Sequence, residues 1–253
     1  MVSNQQWLFV SDVHLAPGDR ERQEGLAAFL LDYPHLTHLC IVGDLFDFWY
    51  GLRDREFTGF ATILAALRRL TNRGVVIHYI EGNHDFCLGT YFAVRYGARI
   101  YPDGVAFTLG GQRVWIEHGD LTNPHETLHR AWRAFARSML ALWIAETVGP
   151  RRLQAFGRWL DRVTTPADYS RRSVAHPCFR THAERRIAEG FDVVVMGHAH
   201  VPGDEAIEVD GRRGRYLNVG DWIFHRSYVT FDEDQGFRLH NPTSTPAPQE
   251  ASP

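Results

Sequence analysis

Residues 75–86 read VVIHYIEGNHDF, an apolar run that halts at Gly82 and gives way to an amide, an imidazole and a carboxylate: Asn83, His84 and Asp85. A short run that is apolar throughout fits a strand buried on both faces. THLCIVG (37–43) and WLFVS (7–11) have the same texture. Between these runs lie two helical patterns. RERQEGLAAFLLDY (20–33) places Leu26, Phe29 and Leu30 at helical spacing, and FTGFATILAALRRLTNRG (57–74) is amphipathic and ends at Gly74. The order β-α-β-α-β with continuous apolar strands predicts parallel pairing covered by helices.

Further on, ARIYPDGVAFTLGGQRVWIEHGD (98–120) predicts short strands with hairpin signals at Asp103-Gly104 and Gly110-Gly111. FDVVVMGHAH (191–200) is another buried strand. EAIEVDGRRGRYLNVGDWI (205–223) and SYVTFD (227–232) predict antiparallel strands around Asp210-Gly211. Between the strands ending at His118 and Met196 the pattern is mainly helical. One helix is predicted through Leu128, Trp132, Phe135, Met139 and Trp143, and a second through Leu153, Phe156, Leu160 and Val163. The reading is an α/β core in two parts, 1–121 and 191–240, interrupted by a helical insertion over 122–190. The Pro/Ser/Thr-rich tail, 241–253, is expected to be disordered.

The chain has 253 residues and a formal net charge of −3, so no global attraction to nucleic acid or anionic membrane is expected. A nuclease would need a broad basic surface. Cys40, Cys87 and Cys178 have no paired spacing, which argues against a disulfide framework and for a reducing compartment. The opening MVSNQQWLFVSDVH lacks the basic region and long apolar core of a signal peptide. No run reaches the roughly 18 apolar residues of a bilayer span.

All 27 basic residues are arginine, which GC-rich coding accounts for most simply, so only their placement carries information. Residues 119–191 hold twelve Arg against seven acidic residues, interleaved with Trp132, Trp143, Phe156 and Trp159. Two readings stay open: a helical hairpin packing on itself, or a lid with an apolar chamber and arginines for phosphate. Arg151, Arg152, Arg171 and Arg172 are the candidates for phosphate contact.

Polar groups stand at every predicted strand end: SDVH, GDLFD, GNHD, EHGD and GHAH. Each alone reads as a turn, a cap or a surface pair. Together they form a set, because parallel sheets place ligands beyond the carboxyl ends of their strands. Two carboxylates, an amide oxygen and four imidazoles suit Mn²⁺, Fe²⁺ or Zn²⁺ better than calcium or structural zinc. Asp12-x-His14 and His198-x-His200 can each present two side chains to one metal, and Asp44 is the candidate to bridge two. The glycines before Asp44, Asn83 and His198 allow close backbone approach.

This series, D-x-H, G-D, G-N-H-D, H-G and G-H-x-H, resembles the signature of the calcineurin-like metallophosphoesterases. The resemblance implies a four-layer β-sandwich flanked by helices, with the helical insertion as a lid. It implies one metal held by Asp12, His14, Asp44 and His200, and a second held by Asp44, Asn83, His118 and His198. It makes Asn83 and His84 substrate contacts, His84 a candidate proton donor, and Asp85 a carboxylate that orients His84.

LFVSDVHL, GDLFDFW, HGD, the long insertion and NVGDW are similar to the branch of that family that hydrolyses UDP-2,3-diacylglucosamine in lipid A biosynthesis. That branch implies two divalent ions, Mn²⁺ first, and a UDP-linked acylated sugar as substrate. No nucleic-acid partner is expected, because the Arg-rich region is also aromatic and helical, and the expectation is a cytoplasmic protein whose basic amphipathic insertion can make peripheral contact with the inner membrane. Two departures stand out. His84 occupies a position where the best-known members of the branch carry Arg, and LTNPHETLHR (121–130) replaces their acidic, Tyr-containing stretch. Another nucleotide-linked diphosphate or a phosphodiester is therefore the alternative substrate. A binding module that had lost catalysis should lack ligands, yet every ligand position is filled.

Overall fold

The computed structural model describes residues 5–52, 57–123, 127–164 and 177–243. From β1 (Trp7–Val10) the chain passes through α1 (Arg20–Asp32), β2 (His38–Val42), β3 (Trp49–Tyr50), α2 (Ala61–Asn72), β4 (Val76–Ile80) and β5 (Asp85–Phe86). It continues through α3 (Val94–Tyr96), β6 (Arg99–Tyr101), β7 (Gly104–Leu109) and β8 (Gln112–Glu117). Four helices follow: α4 (Thr127–Ala136), α5 (Met139–Val148), α6 (Pro150–Thr164) and α7 (Pro177–Ala188). The chain ends with β9 (Val193–Met196), β10 (Gly203–Val209), β11 (Arg212–Asn218), β12 (Tyr228–Asp232) and β13 (Gly236–His240).

The result is an α/β fold on two mixed sheets. The first has the order β13-β12-β1-β2-β4-β6, with β1, β2, β4 and β6 parallel. The second has the order β10-β11-β9-β8-β7, with β8, β9 and β11 parallel. The apolar runs are continuous because alternate side chains serve different cores. Leu8 and Val10 join the cluster beneath α1 and α2, whereas Trp7 and Phe9 join the cluster between the sheets. Val193 and Val195 face the first sheet, while Val194 and Met196 lie under Phe179, Ala183 and Ile187 of α7. Truncating one such side chain, Phe9→Ala for example, costs about 3–5 kcal/mol.

Gly110-Gly111 and Asp210-Gly211 turn hairpins as expected, pairing Leu109 with Gln112 and Val209 with Arg212. Asp103-Gly104 does not. β6 pairs with β4 in the first sheet and β7 pairs with β8 in the second, so this turn carries the chain between sheets. The single helix predicted through Leu128 and Trp143 breaks after Ala136. Ser138 Oγ accepts the Ala141 N–H at 3.1 Å and caps a new helix, α5. Of the tail expected to be disordered, residues 244–253 lie outside the described residues, as do Arg171 and Arg172. Among the described residues, no helix is long and apolar enough to cross a membrane.

Candidate metal centre

The parallel strands of both sheets deliver their polar ends to one place. β1 leads into Asp12 and His14, β2 into Asp44, β4 into Asn83, β8 into His118, and β9 into His198 and His200. The loops are zipped by backbone bonds. Val13 and His14 N–H both donate to Asp44 O (2.9 and 3.0 Å), and Gly197 N–H donates to His118 O (3.0 Å). Trp49 N–H donates to His84 O at 2.9 Å, beside the short β3–β5 pair.

The backbone is strained here. Asp12, His14, Asp44, His198 and His200 have φ of 49°, 47°, 52°, 63° and 59°, in the left-handed region. Each costs about 1–3 kcal/mol, a cost that persists where surrounding contacts over-determine the conformation. Two glycines make room. At Gly43 (φ +83°) a Cβ would collide with the His118 ring, and at Gly82 it would collide with Asp44 Oδ1.

Ligand-type atoms of Asp12, Asp44, His118 and His198 all lie within 4.8 Å of one another. So do those of Asp12, His14 and His200, and those of His14, Asp44 and His84. Asp12 and Asp44 therefore both stand between groups. Asn83 Oδ1 is 3.2 Å from His118 Nε2. His118 Nδ1 donates to Val42 O at 2.8 Å, which leaves Nε2 facing Asp44 Oδ2 at 3.3 Å. The structure thus gathers all seven predicted ligands in one region.

The donor set fits divalent ions. Asp12 Oδ2 is engaged by Ser11 Oγ (2.6 Å) and His198 N–H (2.8 Å). Asp12 Oδ1 and His14 Nε2 are buried with no hydrogen-bond partner and lie 3.8 Å apart. Buried polar atoms without partners are rare, and a cation between them would satisfy both.

The charges are arranged accordingly. Burial works against ionising Asp12 and Asp44, but the surrounding histidines outweigh it and hold both carboxyls well below the usual range. Burial would lower His118, yet Asp44 and Asp12 raise it well above an ordinary histidine. His198 is pushed down to about 3 by burial and by His118.

His84 is half-buried. Its N–H donates to Asp44 Oδ1 (2.9 Å) and its Nδ1 to Asp47 O (2.8 Å). Asp85 does not orient it, which corrects the expectation from sequence. Asp85 is 0% exposed and accepts from Leu45 N–H (3.0 Å), Gly82 N–H (2.8 Å) and Tyr79 Oη (2.6 Å). It ties the Asp44 loop to the Asn83 loop and is walled off from any substrate. Burial, with Asp44 nearby, pushes its pKa up to about 7. Arg151 and Arg152 lie exposed in the first turn of α6.

Sequence reading missed two supports. Asp47 Oδ1 lies 3.6 Å from His14 Nδ1, and Asp221 Oδ2 lies 3.7 Å from His200 Nδ1. Both carboxylates sit in quoted motifs, GDLFD and NVGDW, but only the fold assigns their partners. Trp222 N–H also donates to Asp12 O at 3.2 Å.

Known proteins bear on this arrangement. A family model described as calcineurin-like phosphoesterase matches residues 7–202. A Xanthomonas campestris pv. campestris protein named UDP-2,3-diacylglucosamine hydrolase is 30% identical over 238 residues, covering 90% of this chain and 95% of its own. A protein of the same name from Pseudomonas putida is 31% identical over 251 residues, covering 92% and 97%. A solved structure described as a novel archaeal phosphodiesterase is 15% identical with a TM-score of 0.48, covering 94% of this chain and 99% of that one.

Proposed function

The chain belongs to the calcineurin-like phosphoesterase family, and from that premise we propose a dimetal hydrolase acting on UDP-2,3-diacylglucosamine. The products are UMP and 2,3-diacylglucosamine 1-phosphate, and the reaction is a step of lipid A biosynthesis. The observation that carries this reading is the convergence of Asp12, His14, Asp44, His118, His198 and His200, in a chain matched over nearly its whole length by proteins named for that substrate.

Asp12, His14, Asp44 and His200 would hold one ion, and Asp44, Asn83, His118 and His198 the other, with Mn²⁺ as the proposed metal. When bound, the ions supply Lewis acidity to the phosphoryl group and to water. A water oxygen bonds to the α-phosphorus as the bond to the bridging oxygen breaks. The bridging oxygen departs with the sugar phosphate. His84 Nδ1 is committed to Asp47 O, so Nε2 is the atom that touches phosphate or delivers a proton.

We read the two sheets and their flanking helices as a four-layer sandwich, built from 1–121 and 191–240. The insertion, 122–190, is read as the helical lid, except that α7 within it packs on the second sheet and serves as the sandwich's outer layer there. Phe135, Met139, Trp143, Phe156 and Trp159 on α4, α5 and α6 are exposed. That apolar surface suits acyl chains and peripheral contact with the cytoplasmic face of the inner membrane. Arg151, Arg152, Arg171 and Arg172 are assigned to the diphosphate.

A second reading, another nucleotide-linked diphosphate or a phosphodiester, is favoured by His84. A histidine can supply the proton that a poor leaving group needs, whereas a departing phosphate needs less help. The test is an assay of the purified protein with Mn²⁺ against the diacylated UDP-sugar and against bis-p-nitrophenyl phosphate. Strong preference for the sugar supports the first reading, and equal or inverted preference supports the second. Asp44→Ala and His118→Ala should abolish both activities with the fold retained, and full activity in either refutes the metal assignment.

A further inference from the structure

Two arginines fasten the start of the helical segment to the strand ends. Arg133, in the last turn of α4 and 6% exposed, sets Nε 2.9 Å from Asp120 Oδ2. It also donates to Asp103 Oδ1 and Pro102 O, both at 2.8 Å. Arg137 sets one Nη 3.0 Å from Glu81 Oε2 and donates the other to Asp103 Oδ1 at 3.1 Å. Between them, the Ala136 carbonyl accepts the Tyr50 hydroxyl at 2.6 Å.

The carboxylates they meet are placed to matter. Glu81 lies just before Gly82-Asn83, and Asp120 just after His118-Gly119. Glu81 and Asp120 are 3% and 4% exposed, so removing either cation takes a close opposite charge away from a buried carboxylate. Seating α4 and holding the Asn83 and His118 loops together are therefore one event.

We propose that Arg133 and Arg137 are positioning residues. They hold the Asn83 and His118 strand ends at the separation one ion of the pair requires, so the docking of α4 governs occupancy of that ion. The inference rests on the dimetal reading above and adds to it a regulatory link between the helical segment and the centre.

The test is calorimetric titration of Mn²⁺ into the metal-free full chain. Wild type should bind two ions. In Arg137→Gln, one ion should bind as in wild type and the other at least about tenfold more weakly. kcat should fall with KM nearly unchanged, and Arg137→Lys should restore part of the affinity. Two ions at wild-type affinity, or equal weakening of both in step with a lowered Tm, would overturn the proposal. Arg133→Gln should act in the same direction. If it does not fold, Asp103→Asn replaces it, because Asp103 touches both arginines and its side chain is 74% exposed. Unchanged metal affinity in that variant counts against the proposal. Wild type that binds two ions but leaves the UDP-sugar intact removes only the substrate reading, whereas fewer than two ions removes both.

Discussion

Asp221 Oδ2 lies 3.7 Å from His200 Nδ1, while His200 Nε2 lies 3.5 Å from Asp12 Oδ1. One edge of the imidazole faces a carboxylate and the other faces the centre. Asp221 is itself fixed, with Oδ1 accepting the N–H groups of Phe224 (2.8 Å) and His225 (2.9 Å). Such a carboxylate sets the tautomer and orientation of a ligating histidine. Asp221→Asn should weaken Mn²⁺ binding by about 10–100-fold with little loss of fold. Titration calorimetry reads the effect, and wild-type affinity in this variant would show that His200 needs no such support.

Protons and metal compete for His118. Its pKa is raised well above the ordinary 6.5 by Asp44 and Asp12 acting against burial, and its other nitrogen already donates to Val42 O. An ion must displace the Nε2 proton, so metal affinity should rise with pH by about tenfold per unit until His118 is neutral. The metal-free protein runs the other way. A raised histidine contributes stability that is complete below 6.5 and lost as pH climbs through its folded pKa. Asp12 and Asp44, lowered from 3.8, contribute stability that is present above that value and lost as pH falls through their folded pKa values. The Tm gained on adding Mn²⁺ should therefore widen as pH rises from 6.5 through the folded pKa of His118. A constant gain would show that His118 stays neutral.

The centre was legible in the sequence because a strand buried on both faces carries no polar group without a partner, so the first carboxylate or imidazole past its end marks where the sheet edge meets a ligand. Asp12, Asp44 and His198 are of this kind. The errors have different causes, and the first is strand pairing far along the chain. Asp103-Gly104 has the chemistry of a hairpin, but β4 claims one side of it and β8 the other. Asp85 follows His84, yet His84 lies in the bend and Asp85 opens the short strand β5, where its side chain turns inward to Tyr79. The break at Ser138 was hidden because apolar spacing continues through Phe135, Met139 and Trp143, while the capping serine is a single residue.

The exposed aromatic surface gives a test that separates acyl recognition from chemistry. Trp143 and Trp159, on neighbouring helices α5 and α6, are 67% and 58% exposed. Covering a large apolar side chain contributes about 1.5–3 kcal/mol, so Trp143→Ser with Trp159→Ser should raise KM for the acylated UDP-sugar by at least about tenfold. The ratio of that activity to hydrolysis of bis-p-nitrophenyl phosphate should fall by a similar factor. An unchanged ratio would place acyl chains elsewhere.

His84 decides between the two substrate readings. With Nδ1 held by Asp47 O, only Nε2 can act, either as a contact for phosphate charge or as a proton donor. Arginine can make the contact but cannot release a proton near neutral pH. His84→Arg should therefore retain diphosphate hydrolysis, whose leaving phosphate needs little protonation. It should lower cleavage of a phosphodiester with an alkoxide leaving group by about 10²–10⁴-fold. His84→Ala removes both capacities and should impair both substrates. Comparing kcat/KM for the three proteins on the two substrates checks this. Equal losses on both substrates in His84→Arg would mean that the imidazole works through its shape and placement, not its proton.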